Sequence, residues 1–332
     1  MTITKGAQIN TAVVETARLR PAARRRVALF QRVTDAIPLK LMAARGGRSP
    51  LRRLWWKLFK LVDPRAPFRV PVGESRLWVD PGDTIISYAL AKHGVFEPGE
   101  TQLLRRLLSR YRSFVDCGAN LGYYSVLAAR TLSAPARVFA FEPAAGNFVL
   151  LERNIAENGL ASQVMAHRLA LGARECEAEL ILETGNAGGH SLFAANVSSP
   201  KTTETIRLAR LDAVLGDVVV DIIKLDTQGA ELDILRGAAT LLARDHPLLV
   251  MEWWPWALQR AGGAAVLAQL LESFGYVAGV IDARGGIEAL GWNDVVARAD
   301  PNDEESVLMV LCVYPPLHRS LAEAWADPPV TR

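Results

Sequence analysis

Between residues 113 and 273 of this 332-residue chain, short apolar runs alternate with longer amphipathic runs at a regular spacing. Apolar runs of about four to eight residues are typical of buried strands, and longer amphipathic runs are typical of helices. The alternation predicts a parallel sheet covered by helices on both faces. The predicted strands are residues 113–117, 136–141, 164–169, 219–225 and 247–252, and the predicted helices are residues 122–132, 145–158, 229–242 and 258–273.

The C-terminal part of the chain departs from this alternation. Two strand-like runs, residues 276–282 and 306–314, follow each other with no helical pattern evident between them. Such runs predict an antiparallel pair that closes one edge of the sheet. We therefore expect a Rossmann-like α/β domain over residues 113–316, mostly parallel with an antiparallel C-terminal edge, and a tail at residues 317–332.

The N-terminal 65 residues are strongly basic. They hold 15 Lys and Arg against 3 Asp and Glu, whereas the remainder holds 23 basic and 32 acidic residues. A basic arm on an acidic body indicates contact with something anionic, or with the body itself. The sequence predicts a basic, mainly helical extension over residues 1–66, and then a strand and helix segment over residues 67–112.

Residues 50–64 form the clearest amphipathic pattern in this arm. At about 100° per residue, one broad face collects Leu51, Leu54, Trp55, Leu58, Phe59, Leu61 and Val62, and the other collects Arg52, Arg53, Lys57 and Lys60. Two interpretations stay open. Residues 49–64 form an interfacial helix on an anionic membrane, or the helix packs its apolar face on the protein body or on a partner subunit.

The composition favours a reducing compartment. The three cysteines, Cys117, Cys176 and Cys312, are far apart and form no CxxC pair, which disfavours a disulfide framework or a structural zinc site. Neither a long uninterrupted apolar segment nor a secretory leader is apparent. We expect a cytoplasmic protein, peripheral at the inner membrane surface if residues 49–64 bind lipid.

A glycine turn follows the first predicted strand. Gly118 and Gly122 permit a tight turn and the close approach of a ligand to the backbone. The middle position, where the dinucleotide fingerprint Gly-x-Gly-x-x-Gly needs glycine, is Asn120. Asp116, at the strand end, would repel a phosphate but attract a cationic amino group.

The second predicted strand ends in Glu142, about 20 residues beyond the glycine turn, as is typical of an acid that binds ribose hydroxyls. A simpler role for Glu142 is to cap the helix that begins near Pro143. In this order, the turn and the acid indicate an adenosine-bearing ligand without phosphates beside the turn. S-adenosylmethionine fits, because it has a ribose, a cationic amino acid end and no phosphate.

Several segments resemble the FkbM family of S-adenosylmethionine-dependent (class I) methyltransferases. They are Val115 through Ser125, Phe141-Glu142-Pro143, Asn154 through Leu160, Ala170-Leu171-Gly172 and Ile223 through Glu231, and the likeness covers about residues 85–255. The resemblance implies a seven-stranded sheet, S-adenosylmethionine as cofactor and O-methylation of a hydroxyl on a sugar, glycan, glycolipid or natural product. Segment 67–112 is then expected to cap the cofactor site.

The residues expected to bind the cofactor are Asp116, Gly118, Asn120, Gly122, Glu142 and Ala170. Many class I enzymes bind the adenine amino group with an Asp at the end of the third strand, close to the position of Ala170 in this chain. This chain has His167-Arg168-Leu169 there, so we expect backbone groups and apolar contacts near Ala170 to hold adenine.

Methyl transfer to a hydroxyl requires a base or a metal ion that takes up the proton. Asp226 follows the fourth predicted strand, and Lys224, two residues earlier, faces the same side. We expect Asp226 to act as base or metal ligand with Lys224 as its electrostatic partner, although a helix cap with a structural counter-ion is the alternative. Glu231, in the first turn of the next helix, and His190, in a predicted lid at residues 185–191, are further catalytic candidates.

Two further residues leave questions open. Gln228 stands where the family usually has Glu, so the site is altered if that acid binds a metal or a proton, and intact if it only orients its neighbours. Glu252 precedes Trp253, Trp254 and Trp256, and either contacts the acceptor or packs beneath the final hairpin. A divalent metal is compatible with the sequence, and the oligomeric state stays undetermined.

Three other functions are alternatives to methyl transfer. A nicotinamide-dependent oxidoreductase is disfavoured by the missing middle glycine of the turn. Nucleic-acid binding through residues 1–65 is permitted by charge. However, no Asp/Asn-Pro-Pro-Tyr segment of nucleic-acid amino-methylating enzymes follows the fourth strand. A cofactor-binding protein with weakened catalysis would result if Gln228 disables the site.

Overall fold

The structure is a computed structural model. It describes residues 21–38, 50–183, 185–197, 200–259 and 262–318. The chain divides into two compact units, residues 1–96 and 97–332. This boundary lies inside the predicted segment 67–112, whose capping role stays a prediction. Most of the predicted tail 317–332 lies outside the described residues.

The first unit combines helices with one β-hairpin. Its elements are α1 (Pro21–Ala36), α2 (Pro50–Val62), β1 (Phe68–Val72), β2 (Ser75–Val79) and α3 (Ile86–His93). The two strands pair antiparallel, with Val72 opposite Ser75 across a tight turn. The amphipathic run at residues 50–64 therefore forms a helix, as predicted.

Only part of the predicted apolar face of α2 is buried. Trp55 and Phe59 are buried, and they lie against Phe30 of α1 at ring-centroid distances of 5.6 and 6.5 Å. Large aromatic rings bury more apolar area than leucines do, so they take the inner positions. Three leucines of the same predicted face are instead exposed: Leu54, Leu58 and Leu61.

The helical pattern predicts Arg52 on the cationic face of α2, but the structure separates it from the exposed cations of that face. Its side chain is buried, and its guanidinium donates hydrogen bonds to the backbone oxygens of Pro71, Leu90, Ala91 and Lys92. Three of these acceptors are in the last turn of α3, where helix carbonyls lack partners within the helix. Burial lowers the pKa of Arg52 to about 10. The guanidinium stays charged and donates hydrogen bonds to the carbonyl oxygens at the C-terminal end of α3.

The second unit is an α/β domain. Its strands are β3 (Ser113–Cys117), β4 (Arg137–Phe141), β5 (Val164–His167), β6 (Ala170–Leu171), β7 (Cys176–Glu183), β8 (Pro200–Ala209), β9 (Ile222–Leu225), β10 (Leu248–Trp253), β11 (Val277–Ile281), β12 (Ile287–Leu290) and β13 (Leu308–Val313). Its helices are α4 (Pro98–Leu108), α5 (Tyr123–Thr131), α6 (Ala145–Glu157), α7 (Leu211–Leu215), α8 (Glu231–Arg236), α9 (Ala239–Asp245), α10 (Pro255–Leu258), α11 (Ala264–Ser273) and α12 (Trp292–Arg298).

The central sheet runs in the order β12-β11-β13-β10-β9-β3-β4-β5. The five strands from β10 to β5 are parallel to one another. β13, β11 and β12 are antiparallel to their neighbours. The predicted Rossmann-like fold, mostly parallel with an antiparallel C-terminal edge, is confirmed.

The strand order reverses at β3. The chain moves outward from β3 to β4 and β5, and then returns to place β9 on the other side of β3. In open α/β sheets, ligands bind at the carboxyl ends of the strands where the order reverses. This topology puts the turn after β3 beside the turn after β9.

The structure adds elements that the sequence pattern did not indicate. The sheet has eight strands instead of seven, because β12 extends the edge, and α12 lies where no helix was expected between the last two predicted strands. A separate sheet, in the order β6-β8-β7, covers residues 170–209. The single helix predicted at 229–242 is split into α8 and α9 at Gly237, where a Cβ would lie 2.1 Å from the oxygen of Gly172.

In the part of the chain that the structure describes, none of the helices meets the length and hydropathy needed to span a bilayer.

Replacing the buried arginine tests its role in the first unit. Arg52→Ala leaves buried carbonyl groups without donors, so we expect it to lower the free energy of unfolding by about 3 kcal/mol. The neighbouring exposed side chain gives a matched control, and Arg53→Ala should change stability by no more than about 0.5 kcal/mol. Chemical denaturation of both variants checks this, and equal stabilities would contradict the assigned role.

Candidate functional site

The turns after β3 and β9 are in direct contact. Gly118 has a φ of +80°, and a Cβ at this position would lie 2.1 Å from the backbone oxygen of Asp226. The backbone N–H of Asp226 donates to the oxygen of Cys117 at 3.2 Å. Only glycine combines this φ with this close approach. The predicted cofactor-binding turn and the predicted catalytic turn therefore form one site.

The turn after β3 is hydrogen-bonded to the end of the neighbouring strand, β4. The N–H groups of Gly118 and Ala119 both donate to the oxygen of Phe141, at 3.0 and 2.9 Å. Asn120 has a φ of +51°, and its side-chain oxygen accepts the N–H of Leu121 at 2.6 Å. Asparagine tolerates the left-handed conformation because its side chain can bond locally. Asn120 thus shapes the turn at the position where a dinucleotide loop has glycine.

Glu142 ties the same turn to the start of α6. One carboxylate oxygen accepts the N–H of Asn120 at 2.8 Å, and the other accepts the N–H of Ala144 at 2.9 Å. Burial raises the pKa of Glu142 to about 7. The helix-capping alternative is therefore part of its role. Oε1 also lies 3.5 Å from Asn147 Nδ2, whereas Oε2 keeps a second lone pair at which a hydroxyl donor can bind.

Asp116 has a carboxylate oxygen with no protein partner. Its Oδ2 accepts the hydroxyl of Ser125 at 2.6 Å, whereas its buried Oδ1 has no hydrogen-bond partner among the described residues. Burial raises the pKa of Asp116, although the nearby Lys224 opposes this. A buried acceptor without a partner is rare in folded proteins and indicates a missing donor. A cationic amino group would supply such a donor.

Lys224 and Asp226 form the ion pair that their spacing predicts. The distance from Lys224 Nζ to Asp226 Oδ2 is 2.8 Å, and Nζ lies 4.6 Å from the ring centroid of Tyr124. The Lys224 side chain is 1% exposed, whereas that of Asp226 is 23% exposed. Burial alone would lower the pKa of Lys224, but the charges of Asp226, Glu97 and Asp116 outweigh it and raise the pKa. The lysine therefore stays charged, and the accessible member of the pair is the carboxylate.

Gln228 bridges two carboxyl groups. Its Nε2 lies 3.1 Å from Glu252 Oε2 and 3.4 Å from Asp226 Oδ1. Burial, followed by the charge of Asp226, raises the pKa of Glu252 well above its usual range. A glutamate at position 228 would add a third carboxyl at these distances. The described residues hold no group of three or more His, Cys, Asp and Glu suited to a metal ion.

Two residues that no sequence pattern indicated, Glu97 and Tyr124, lie beside the Lys224–Asp226 pair. The Tyr124 hydroxyl donates to Glu97 Oε2 at 2.7 Å. Burial, and then the charge of Asp226, raises the pKa of Glu97 to about 7. The only signal in the sequence is a glutamate before Pro98 at a helix start, which does not reveal its distant neighbours. Glu97 therefore adds a third carboxyl group near the Lys224–Asp226 pair.

Glu231 lies beneath the turn after β9. Its Oε1 accepts both the backbone N–H and the hydroxyl of Thr227, each at 2.9 Å, and the side chain is buried. Burial raises the pKa of Glu231, and these hydrogen bonds oppose the shift. This geometry supports the shape of the turn, while a catalytic role for Glu231 stays a prediction.

The predicted lid at residues 185–191 contacts both turns. The oxygen of Ala187 accepts the side-chain amides of Asn120 and Asn147 at 2.8 and 2.9 Å. At its other end, the Ser191 hydroxyl donates to the oxygen of Gln228 at 3.0 Å. His190 Nδ1 accepts the N–H of Glu183 at 3.0 Å. The loop therefore spans the site, but proton transfer by His190 stays a prediction.

Ala170 lies in the small sheet. It is buried in an apolar cluster with Ala144, Leu180, Ile206 and Leu208. This cluster adjoins the start of α6, which follows Glu142, so Ala170 is near the end of β4. Its contact with adenine stays a prediction.

Substituting Gly118 tests the contact between the two turns. Gly118→Ala meets the Asp226 backbone and requires a left-handed φ, so we expect a loss of at least about 2 kcal/mol in stability. Gly146→Ala is the control, because a Cβ there has open space and alanine favours a helix by up to about 1 kcal/mol. Denaturant unfolding distinguishes them, and a Gly118→Ala protein of normal stability would contradict the close contact.

The raised pKa of Glu97 predicts a pH-dependent stability. The folded state holds the Glu97 proton more tightly than the unfolded chain, since its pKa rises from 4.5 to about 7. Its stabilising contribution is complete below pH 4.5 and is lost as the pH rises through about 7. Glu97→Gln removes this loss, so the variant should gain stability relative to wild type across this window. Unfolding curves at several pH values measure the difference, and parallel pH profiles would refute it.

Two relatives of known sequence are named methyltransferases. The chain is 28% identical over 186 residues to Methyltransferase 1 of Beauveria bassiana, a match that covers 50% of this chain and 72% of that protein. It is 28% identical over 154 residues to Methyltransferase sdnD of Sordaria araneosa, covering 37% of this chain and 59% of that protein. The fold is also similar to a crystal structure of methyltransferase FkbM from Methylobacillus flagellatus KT, with 18% sequence identity and a TM-score of 0.40. That alignment covers 61% of this chain and 43% of the other protein. The chain therefore spans less than two thirds of the last two proteins.

A family model gives the assignment directly. Residues 116–278 match the model of the methyltransferase FkbM domain. The match extends from Asp116 in β3 to Ala278 in β11, so it includes both turns of the site and the Lys224–Asp226 pair. Residues 116–278 of this chain are therefore a methyltransferase domain of the FkbM family.

Proposed function

We propose that the chain transfers a methyl group from S-adenosylmethionine to a hydroxyl of a sugar, glycan, glycolipid or natural product. The FkbM domain makes the chain a methyltransferase. The observation that carries the proposal is the contact between the turn after β3 and the turn that holds Asp226. It joins a ligand cradle to a partly exposed carboxylate within one site.

The residues of the first turn fit S-adenosylmethionine. Asp116 Oδ1 lacks a partner among the described residues and would accept a hydrogen bond from the cationic amino group. Gly118 lets this turn lie directly against the Asp226 backbone. Glu142 Oε2, which accepts the N–H of Asn120, would accept a ribose hydroxyl at its second lone pair. When bound, the sulfonium supplies an electrophilic methyl carbon. Asp116 would disfavour the pyrophosphate of a dinucleotide, because its carboxyl group repels phosphate.

Asp226 is the proposed base. Its Oδ2 is held by Lys224, and among the described residues its Oδ1 has a single, long contact, with the Gln228 amide at 3.4 Å. Asp226 Oδ1 would accept the proton of the acceptor hydroxyl, and the methyl–sulfur bond of the cofactor would break as the methyl–oxygen bond forms, with the thioether as leaving group. Lys224 holds the carboxylate in place without becoming neutral, because its own pKa is raised. Proton acceptance by a positioned side chain contributes about 100-fold to 10,000-fold in rate.

The contacts of Gln228 favour a catalytically competent site over a disabled one. Its amide hydrogens point to Asp226 and Glu252, which lets two neighbouring carboxyl groups coexist without a cation between them. In this proposal, the position orients its neighbours, so glutamine serves where the family usually has glutamate. The alternative, a cofactor-binding protein with weakened catalysis, has no such contact in its favour.

The aromatic residues after Glu252 support an acceptor with a ring. Trp253 is fully buried and packs in the core, so it does not belong to an acceptor wall. Trp254 and Trp256 are partly exposed, and their rings stack at a centroid distance of 5.4 Å. Aromatic faces of this kind pack against the apolar faces of other rings.

Calorimetry separates the cofactor classes. We expect heat on titration with S-adenosylmethionine and none with NAD, because the turn carries carboxyl groups where a pyrophosphate would sit. Removing the unpaired acceptor with Asp116→Ala should weaken S-adenosylmethionine binding by about tenfold or more. Binding of NAD alone would overturn the proposed function.

Catalysis is tested at Asp226. Asp226→Asn should lower the transfer of labelled methyl groups into a metabolite and glycan extract of the source cells by about 100-fold or more. Binding of S-adenosylmethionine should be nearly unchanged. Asp217→Asn is the control, because that side chain is fully exposed. Full turnover in Asp226→Asn would show that another group accepts the proton.

A further inference from the structure

The outer side of α2 carries an apolar stripe. Leu54, Leu58 and Leu61 are 55%, 42% and 76% exposed. They are spaced four and three residues apart, so they lie on one side of the helix. We call these three leucines the α2 stripe. Isolated exposed leucines are ordinary in proteins, but an aligned set on one helix marks an interaction surface.

The α2 stripe is distinct from the face that anchors the helix. That inner face is occupied by Trp55 and Phe59, which pack with Phe30 and Phe68, and by Arg52, which bonds to backbone oxygens. The helix is therefore fixed to the first unit without using its leucines. The leucines remain available to a partner outside this packing.

Cationic side chains flank the stripe. Arg53, Lys57 and Lys60 are exposed and follow the same four-and-three spacing on the adjoining side of α2. α1 shows the same combination. Its Leu29 and Val33 are 64% and 50% exposed, and Arg25, Arg26 and Arg32 are exposed on the same helix. Both helices thus present apolar side chains beside cations to the surroundings.

We propose that the α2 stripe and its flanking cations bind the surface of an anionic bilayer. Leucines on one side of a helix enter the boundary between headgroups and acyl chains, while lysine and arginine bind lipid phosphates. The basic balance of residues 1–65 complements such a surface. A nucleic acid would use the cations but would leave the leucines in water. This inference is independent of the proposed methyl transfer.

Co-sedimentation of the full chain with vesicles tests the proposal. We expect binding to vesicles of phosphatidylcholine mixed with phosphatidylglycerol, and much weaker binding to phosphatidylcholine alone. Replacing two flanking cations, Lys57→Gln with Lys60→Gln, should weaken binding by about 25-fold, at about fivefold per cation. Replacing two stripe residues, Leu54→Ser with Leu61→Ser, should weaken it by about tenfold or more.

Controls keep the outcomes distinct. Val219→Ser removes an equally exposed apolar side chain from the second unit and should not change vesicle binding. The unfolding midpoint of each variant should match wild type, since every substituted side chain is exposed. If a midpoint falls, binding is measured well below it. Full vesicle binding by the leucine variant would overturn the proposal, as would the absence of vesicle binding together with salt-sensitive binding to duplex DNA.

Discussion

The site depends on the buried charge of Lys224. An ammonium group removed from water is costly unless carboxylates surround it. Asp226 lies 2.8 Å away, and the charges of Glu97 and Asp116 act on the same lysine. These acids come from the turn after β9, the start of α4 and the end of β3. The lysine therefore holds together three parts of the domain that are distant in sequence.

The strand order makes this arrangement possible. Because β3 lies between β4 and β9, the glycine turn and the Asp226 turn end at the same edge of the sheet and touch. A Cβ at Gly118 would separate them. The two turns of the FkbM domain are thus in contact, and the proposed cofactor-binding turn lies beside the proposed base.

The carboxyl groups of this surface do not all ionise alike. Burial and the charge of Asp226 raise the pKa values of Glu97 and Glu252, and Lys224 opposes both shifts. One buried cation cannot balance several anions, so protonation is shared among the acids. The Gln228 amide adds a neutral donor between Asp226 and Glu252, which eases this crowding. The glutamine at this position is consistent with the charge around it.

In the first unit, the amphipathic pattern predicts where the helix α2 forms but not which of its side chains are buried. The periodicity predicted the helix α2 correctly, because local spacing determines which residues share a side. It did not predict that Arg52 would be buried or that Leu54 and Leu58 would be exposed. Packing decided this, since the aromatic rings filled the inner face and the carbonyls of α3 supplied acceptors for the guanidinium.

The sequence by itself determined the α/β alternation, the two turns and the Lys224–Asp226 pair, because each depends on a short segment with its own spacing. It did not indicate β12, α12 or the small sheet, whose strands mix polar and apolar residues. Only the tertiary structure brought Glu97 to the site and placed the amide of Gln228 between Asp226 and Glu252. These contacts join segments far apart in the chain, and no local pattern encodes which distant side chain will share a buried charge.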